Sequence, residues 1–197
     1  MKPDIDFFIK ASILFGVLSV TFSVIGIYAL PETTEQPGAA SQQPRFSISI
    51  EHIGGHIMWG LIAGTASLSL RYFLLGGSFG ILLDADHLIY LMGITAIPRM
   101  GHSIPFGIIS AAIMMLVLGR KDYLLGAVSF ATVLAHISFD LIFSNGAKFP
   151  IFILLNNNEI YFHKADWVFF MLGSVILIGS MMMKTRYHKF KKAKSNI

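Results

Sequence analysis

The sequence predicts an all-α polytopic membrane helix bundle with about six transmembrane helices and both termini cytoplasmic, and three observations carry that reading. Hydrophobic residues make up 54% of the 197-residue chain and charged residues only 13%. With a mean hydropathy of +0.67, this is too apolar for a water-soluble domain of that size. The apolar residues gather into six blocks, and the basic residues gather mainly on one side of the resulting path.

The blocks are Phe7 to Leu30, Ile53 to Leu70, Tyr72 to Gly93, Ile104 to Leu118, Tyr123 to Phe143 and Trp167 to Met183. Spanning hydrocarbon takes roughly 20 apolar residues of helix, fewer when a segment is packed within a bundle. The second and fourth blocks are short or glycine-rich. Gly60 and Gly64 lie four apart, as do Gly76 and Gly80, a spacing that lets helix backbones approach closely. The first block could be taken for a signal peptide, but its apolar run is long and its leading segment carries Asp4 and Asp6, which favours an uncleaved helix. Residues 1–30 thus read as an anchor helix and 31–49, rich in Pro, Gly, Ser and Gln, as an extracytoplasmic linker. Residues 50–183 read as a helical membrane domain and 184–197 as a basic cytoplasmic tail.

Orientation follows from Lys and Arg, which favour the cytoplasmic side near helix ends. With both termini inside, eleven of the fifteen basic residues are cytoplasmic: Lys2, Lys10, Arg71, Arg120, Lys121 and the six of the tail "KTRYHKFKKAK". The net charge of +4 resides largely in that tail, where it suits anionic lipid. It is not displayed on a soluble module, so no nucleic-acid partner is expected. Cys is absent, which excludes a disulfide scaffold and thiolate metal sites. Any metal must be held by His and carboxylate.

No histidine entered that topology, yet six of the seven fall toward the external side: His52, His56, His87, His102, His136 and His163. Asp84, Asp86 and Asp140 do the same. At 1.5 Å per residue, His87 lies about 9 Å and His136 about 10 Å from the outer ends of their blocks. An aspartate in hydrocarbon costs several kcal/mol unless paired, hydrated or neutralised, and the one Lys or Arg inside the spans, Lys10, lies at the cytoplasmic end of the first. A bound cation would neutralise these carboxylates together.

"HIGGH" (His52, His56) and "HISFD" (His136, Asp140) are i,i+4 pairs that face one direction on a helix, as bidentate metal anchors do. Taken singly, each also suits an ordinary hydrogen-bonded packing histidine. In "DADH", Asp84 and His87 differ by about 60° on an ideal helix while Asp86 points elsewhere. Either the helix is distorted there or Asp86 serves another ion or a supporting role. "RMGHS" sets Arg99, His102 and Ser103 at a helix mouth, where an anion is favoured, although a plain N-terminal turn has the same composition. "YFHKADW" places His163 and Asp166 among aromatic interface anchors. Glu51 and Glu159 are candidate general bases.

The order His, Asp-x-Asp-His, Arg-x-x-His-Ser, His-x-x-x-Asp across apolar helices resembles a prokaryotic family of membrane-bound metal-dependent hydrolases, one branch of which is described as LexA-binding and inner-membrane-associated. The match runs from Glu51 to about Pro150. Asp84, Asp86 and His87 fit the family's Pro-Asp-x-Asp-His element, His102 and Ser103 the end of His-Arg-Gly-x-Thr-His-Ser, and His136 and Asp140 the Ser-His-x-x-x-Asp element, followed by Ser144 to Gly146. Leu83 stands in place of the proline, and the third element is shortened to "PRMG" and lacks its first His. The family is distantly similar to zinc-dependent phospholipase C and nuclease enzymes of all-helical fold, which implies phosphoester hydrolysis.

The resulting expectation is a multi-pass protein of a prokaryotic inner or cytoplasmic membrane that hydrolyses a phosphoester or lipid head group at the extracytoplasmic face. One or two divalent ions, zinc by preference, would be held by His52, His56, Asp84, Asp86, His87, His102, His136 and Asp140. Asp86, Arg99 and Glu51 are the expected catalytic side chains, and membrane lipid is the expected partner and candidate substrate. A metal-ion or small-solute transporter is the alternative, and an inactive assembly partner a third reading; transport requires a site near the midplane reachable from both sides.

Overall fold

The computed structural model describes residues 5–29, 49–92, 100–119, 122–153, 155 and 158–195. Among these residues the chain is an all-α bundle of six α-helices with one small hairpin. Helix α1 is Ile5–Ala29, α2 Ile50–Thr65, α3 Leu70–Leu82, α4 Ile104–Leu118, α5 Tyr123–Phe143 and α6 Trp167–Lys194. Strands β1 (Gly146–Phe149) and β2 (Ile160–His163) pair antiparallel between α5 and α6, with Gly146 opposite His163 and Phe149 opposite Ile160. The linker predicted at 31–49 lies outside the described residues except for Ser49, the N-cap of α2.

Three stretches are long and apolar enough to cross a membrane: Ile5–Gly26, Tyr123–Phe143 and Lys164–His188. These correspond to the first, fifth and sixth predicted spans. The second and fourth are helices of 16 and 15 residues, about 24 and 22 Å long. The third departs most from expectation: α3 has only 13 residues and continues as a ten-residue 3-10 helix, Leu83–Met92. So long a 3-10 run is uncommon and often marks a functional segment. The β hairpin was not anticipated either, because "YFHKADW" reads equally well as a row of interfacial anchors.

Local chemistry sets the helix starts. Ser49, Ser103 and Asp122 each accept a hydrogen bond from the backbone N–H three residues on, at 3.2, 3.2 and 3.0 Å, and so cap α2, α4 and α5. Contacts between elements show that successive helices alternate in direction. Arg71 at the start of α3 lies over the Phe7 ring of α1 at 3.3 Å, and the Tyr72 hydroxyl donates to Asp122 at the start of α5. Lys184 of α6 lies near the Tyr123 ring. At the opposite end, the Ser138 hydroxyl near the close of α5 donates to the Trp167 carbonyl at the start of α6 and accepts from the Trp59 indole.

Helix α5 forms the axis of the bundle: 78% of its most apolar 18-residue stretch is buried, against 39% of that of α1 and 17% of that of α6. Phe15 of α1, Phe79 of α3 and Phe106 of α4 join in one aromatic cluster, Phe15 and Phe79 stacking at 4.3 Å. Helices α2 and α3 meet backbone to backbone along glycines. A Cβ added to Gly60 would collide with the Gly76 carbonyl, and one added to Gly80 with the His56 carbonyl. The spacing seen in the sequence is therefore a packing seam, and it sets His56 and Gly80 side by side.

Gly80→Ala should lower the thermal unfolding midpoint in detergent, at a cost of about 1–3 kcal/mol from overpacking. Gly54→Ala, where an added Cβ meets nothing within 4 Å, should leave the midpoint unchanged or slightly higher. Equal behaviour of the two variants would contradict the close approach.

Candidate metal centre

The cluster forms at the end of the bundle where α5 closes and α2 and α4 begin. His52 and His56 come from the first two turns of α2, and His102 lies two residues before α4. His136 and Asp140 lie in the last two turns of α5, and Asp84, Asp86 and His87 on the 3-10 segment. All eight residues expected as metal ligands thus meet at one place. Together they supply four groups of ligand atoms lying within 4.8 Å of one another: His52, His56 and Asp140; His56, Asp84 and His136; His102, His136 and Asp140; Asp84, Asp86 and His87.

The 3-10 conformation settles how "DADH" is used. At three residues per turn, positions i and i+3 eclipse, so Asp84 and His87 share a face while Asp86 is turned about 120° away. Asp86 accordingly faces α1, where its Oδ2 accepts a 2.7 Å hydrogen bond from the Ser23 hydroxyl. One turn earlier, Ser19 donates to the Leu83 carbonyl at 2.5 Å. Farther down, Ser12 and Ser78 share a 2.7 Å hydrogen bond. Ser12, Ser19 and Ser23 lie on one face of α1, which makes this helix a support of the site. Their spacing was visible in the sequence, but serines in an apolar run carry no strong signal by themselves.

At the centre, imidazole Nε2 atoms converge on the carboxylates. Asp84 Oδ2 lies 3.5 Å from His52 and 3.4 Å from His56, and its Oδ1 lies 3.3 Å from His136 and 3.5 Å from His102. Asp140 Oδ1 is 3.3 Å from His56, while Oδ2 is 3.5 Å from His102 and 3.7 Å from His136. The Nε2 atoms of His52 and His56 are 3.1 Å apart, and those of His102 and His136 3.0 Å apart. His87 sits wider, 3.8 Å from Asp84 and 4.0 Å from Asp86. The His56 and His136 rings stack at 3.6 Å, and Phe139 and Phe149 wall the histidines.

These distances suit a bound cation. A hydrogen bond between protonated His and carboxylate draws the atoms to about 2.7–2.9 Å, and none of these contacts is that short. Donors bonded to a tetrahedral ion at about 2.0–2.2 Å stand roughly 3.3–3.5 Å from each other. His136 Nδ1 must donate to the Gly80 carbonyl, 2.7 Å away, which leaves the Nε2 lone pair of the neutral ring aimed into the cluster. Two imidazole lone pairs 3.0 Å apart repel unless a proton or cation lies between them. Asp84 Oδ2 and Asp86 Oδ1 are buried without a hydrogen-bond partner among the described residues. Nor does any Lys or Arg among them form an ion pair with Asp84, Asp86 or Asp140.

Exposure within the cluster is uneven. His56, His102, His136 and Asp140 are closed off, whereas the side chains of His52 and His87 are 20% and 18% exposed. The other described candidates do not join the cluster. Glu51 is exposed on the first turn of α2 and contributes to none of the donor groups; its own backbone N–H and the Ser49 hydroxyl hold its carboxyl below the usual carboxylate range, which makes it a poor general base. His163 is exposed at the end of β2, its N–H bonded to Asp166 at 2.7 Å. Glu159 is exposed next to β2. Arg99 lies outside the described residues.

The chain is thus an all-helical protein with helices fit to cross a membrane, enclosing a His/Asp cluster that could hold a divalent metal ion. No family model, curated protein or solved structure matches it.

Ser23→Ala should destabilise the protein by about 1–3 kcal/mol, because it removes the hydroxyl donor of a buried carboxylate. Ser12→Ala, which interrupts only a partly buried hydroxyl pair, should cost about 1 kcal/mol or less. Thermal or denaturant unfolding in detergent ranks the two, and the reverse order would remove α1 from its supporting role.

Proposed function

We propose that the protein is a membrane-embedded, metal-dependent hydrolase of a prokaryotic inner or cytoplasmic membrane, acting on a phosphoester or lipid head group at the extracytoplasmic face. The observation that carries this reading is the convergence of four imidazoles and two carboxylates from four elements, with metal-type spacing and with His52 partly exposed. His52, His56, Asp84, His102, His136 and Asp140 would hold the metal, with zinc preferred for a site of imidazole and carboxylate. A divalent ion supplies Lewis acidity toward a phosphoryl or acyl oxygen and lowers the pKa of its bound water to about 7.

The chain's own groups do the rest. The Gly80 carbonyl fixes the tautomer of His136, and Ser23 fixes the rotamer of Asp86. Phe139 and Phe149 exclude water from the closed side. His52 and His87 are partly exposed, and a substrate would enter beside them. Arg99, three residues before His102, would steady the charge of a phosphate.

The choice of face rests on the basic tail. Helix α6 starts beside Ser138 at the cluster end and runs about 42 Å to Lys194, so the tail emerges at the far end from the cluster. Positive residues favour the cytoplasm, which leaves the cluster on the other side. A lipid head group would be held at that depth, near His52 and His87. Placement of the ligands at one end also separates this reading from transport, which calls for a site open alternately to both sides.

Purified protein screened against phospholipids and simple phosphoesters should show hydrolysis that is lost on dialysis against a chelator and restored by Zn²⁺. His136→Ala should lower metal uptake and abolish turnover while the protein still inserts. Full metal occupancy in that variant, or metal flux in sealed vesicles without turnover of any ester, would overturn the proposal.

A further inference from the structure

We propose that the cluster is a two-ion centre in which Asp84 and Asp140 each bridge both ions, His52 and His56 completing one coordination set and His102 and His136 the other. This deepens the metal-dependent reading above and rests on it.

The argument begins with the direction of single oxygen atoms. Asp84 presents Oδ2 to His52 and His56 and Oδ1 to His102 and His136. Asp140 divides in the same way, Oδ1 toward His56 and Oδ2 toward His102 and His136. Each histidine pair is internally close, at 3.1 and 3.0 Å. The donors therefore sort into two sets of two nitrogens and two oxygens, and each carboxylate belongs to both. A single tetrahedral ion would leave half of these donors unused, with one oxygen of each carboxylate facing imidazoles across an empty gap.

The ring geometry gives an independent measure of ion spacing. His56 belongs to one set and His136 to the other, and their rings stack 3.6 Å apart with planes only 11° from parallel. An imidazole lone pair lies in the ring plane, so ions bound to the two Nε2 atoms lie in neighbouring layers about that far apart. Ions in two-metal hydrolytic sites are about 3.5–4 Å apart, and such pairs clamp the attacking and leaving oxygens of a displacement.

Charge points the same way. One divalent ion leaves the carboxylates of Asp84, Asp86 and Asp140 with a net negative charge inside an apolar bundle. Two leave a single positive charge, which favours an anionic substrate such as a phosphoester over a neutral ester. His87, 3.8 Å from Asp84 Oδ1 and 4.0 Å from Asp86 Oδ1, stands outside both sets on the Asp84 Oδ1 side.

The test uses the full chain purified in detergent, loaded with Zn²⁺ for elemental quantification and with Mn²⁺ for electron paramagnetic resonance. The expected stoichiometry is two ions per chain, falling to one in His52→Ala/His56→Ala and to one in His102→Ala/His136→Ala. Saturated wild-type protein should give a spin-coupled Mn²⁺ signal, and either double variant that of an isolated ion. One ion per chain with an uncoupled signal in the wild type would overturn the two-ion centre and leave the metal-dependent reading intact. No bound metal would overturn both. The wild-type spectrum decides the matter even if a double variant fails to fold.

Discussion

The carboxylates of Asp84 and Asp140 are enclosed by apolar helices, beyond the reach of any described Lys or Arg. Removing a carboxylate from water costs far more than one hydrogen bond returns, so such groups persist only where other charges or strong donors surround them. Here the surroundings are imidazoles, and imidazole is adaptable: protonated it is a counter-ion, neutral it is a ligand. The short His–His contacts, at 3.1 and 3.0 Å, call for a proton or a cation between the facing nitrogens. Burial of the carboxylates and convergence of the histidines are thus one constraint seen from two sides, and the resulting cluster could hold a cation.

Helix packing supplies the precision this requires. The glycine seam between α2 and α3 removes side chains from the interface, so that the His56 backbone lies against Gly80 and the Gly80 carbonyl remains free to accept from His136. Helix α5 carries His136 and Asp140 one turn apart on the most buried element of the bundle, where their rotamers have little freedom. The turn after α5 uses two positive-φ residues, Asn145 and Gly146, to reverse the chain into β1, which brings Phe149 onto the His102 ring. The path leads on to Ile151, whose carbonyl accepts from the first residue of α4.

Much of this could be read from the sequence, for identifiable reasons. The i,i+4 pairs on α2 and α5 were legible because helical periodicity alone puts their members on one face. The carboxylates drew attention because their cost in an apolar run is large. The conformation of residues 83–92 was not legible: a 3-10 and an α-helix have the same apolar composition, and only tertiary contact with Ser19 and Ser23 distinguishes them. The hairpin was missed because four-residue strands lie below the length at which alternation carries information. Glu51 adjoins His52 in sequence, yet neighbours in a helix point 100° apart, and it is exposed.

The serine face of α1 changes what that helix is. By hydropathy it is an interchangeable hydrophobic rod, and any apolar segment of similar length would serve to tether the chain. Its hydroxyls nevertheless reach the carbonyl and carboxylate groups of the 3-10 segment, including a side chain of the charged cluster. Substituting a generic apolar helix would therefore keep the hydropathy of the segment while stripping a wall from the interior, and grafting residues 50–183 onto a foreign anchor would yield an incomplete molecule.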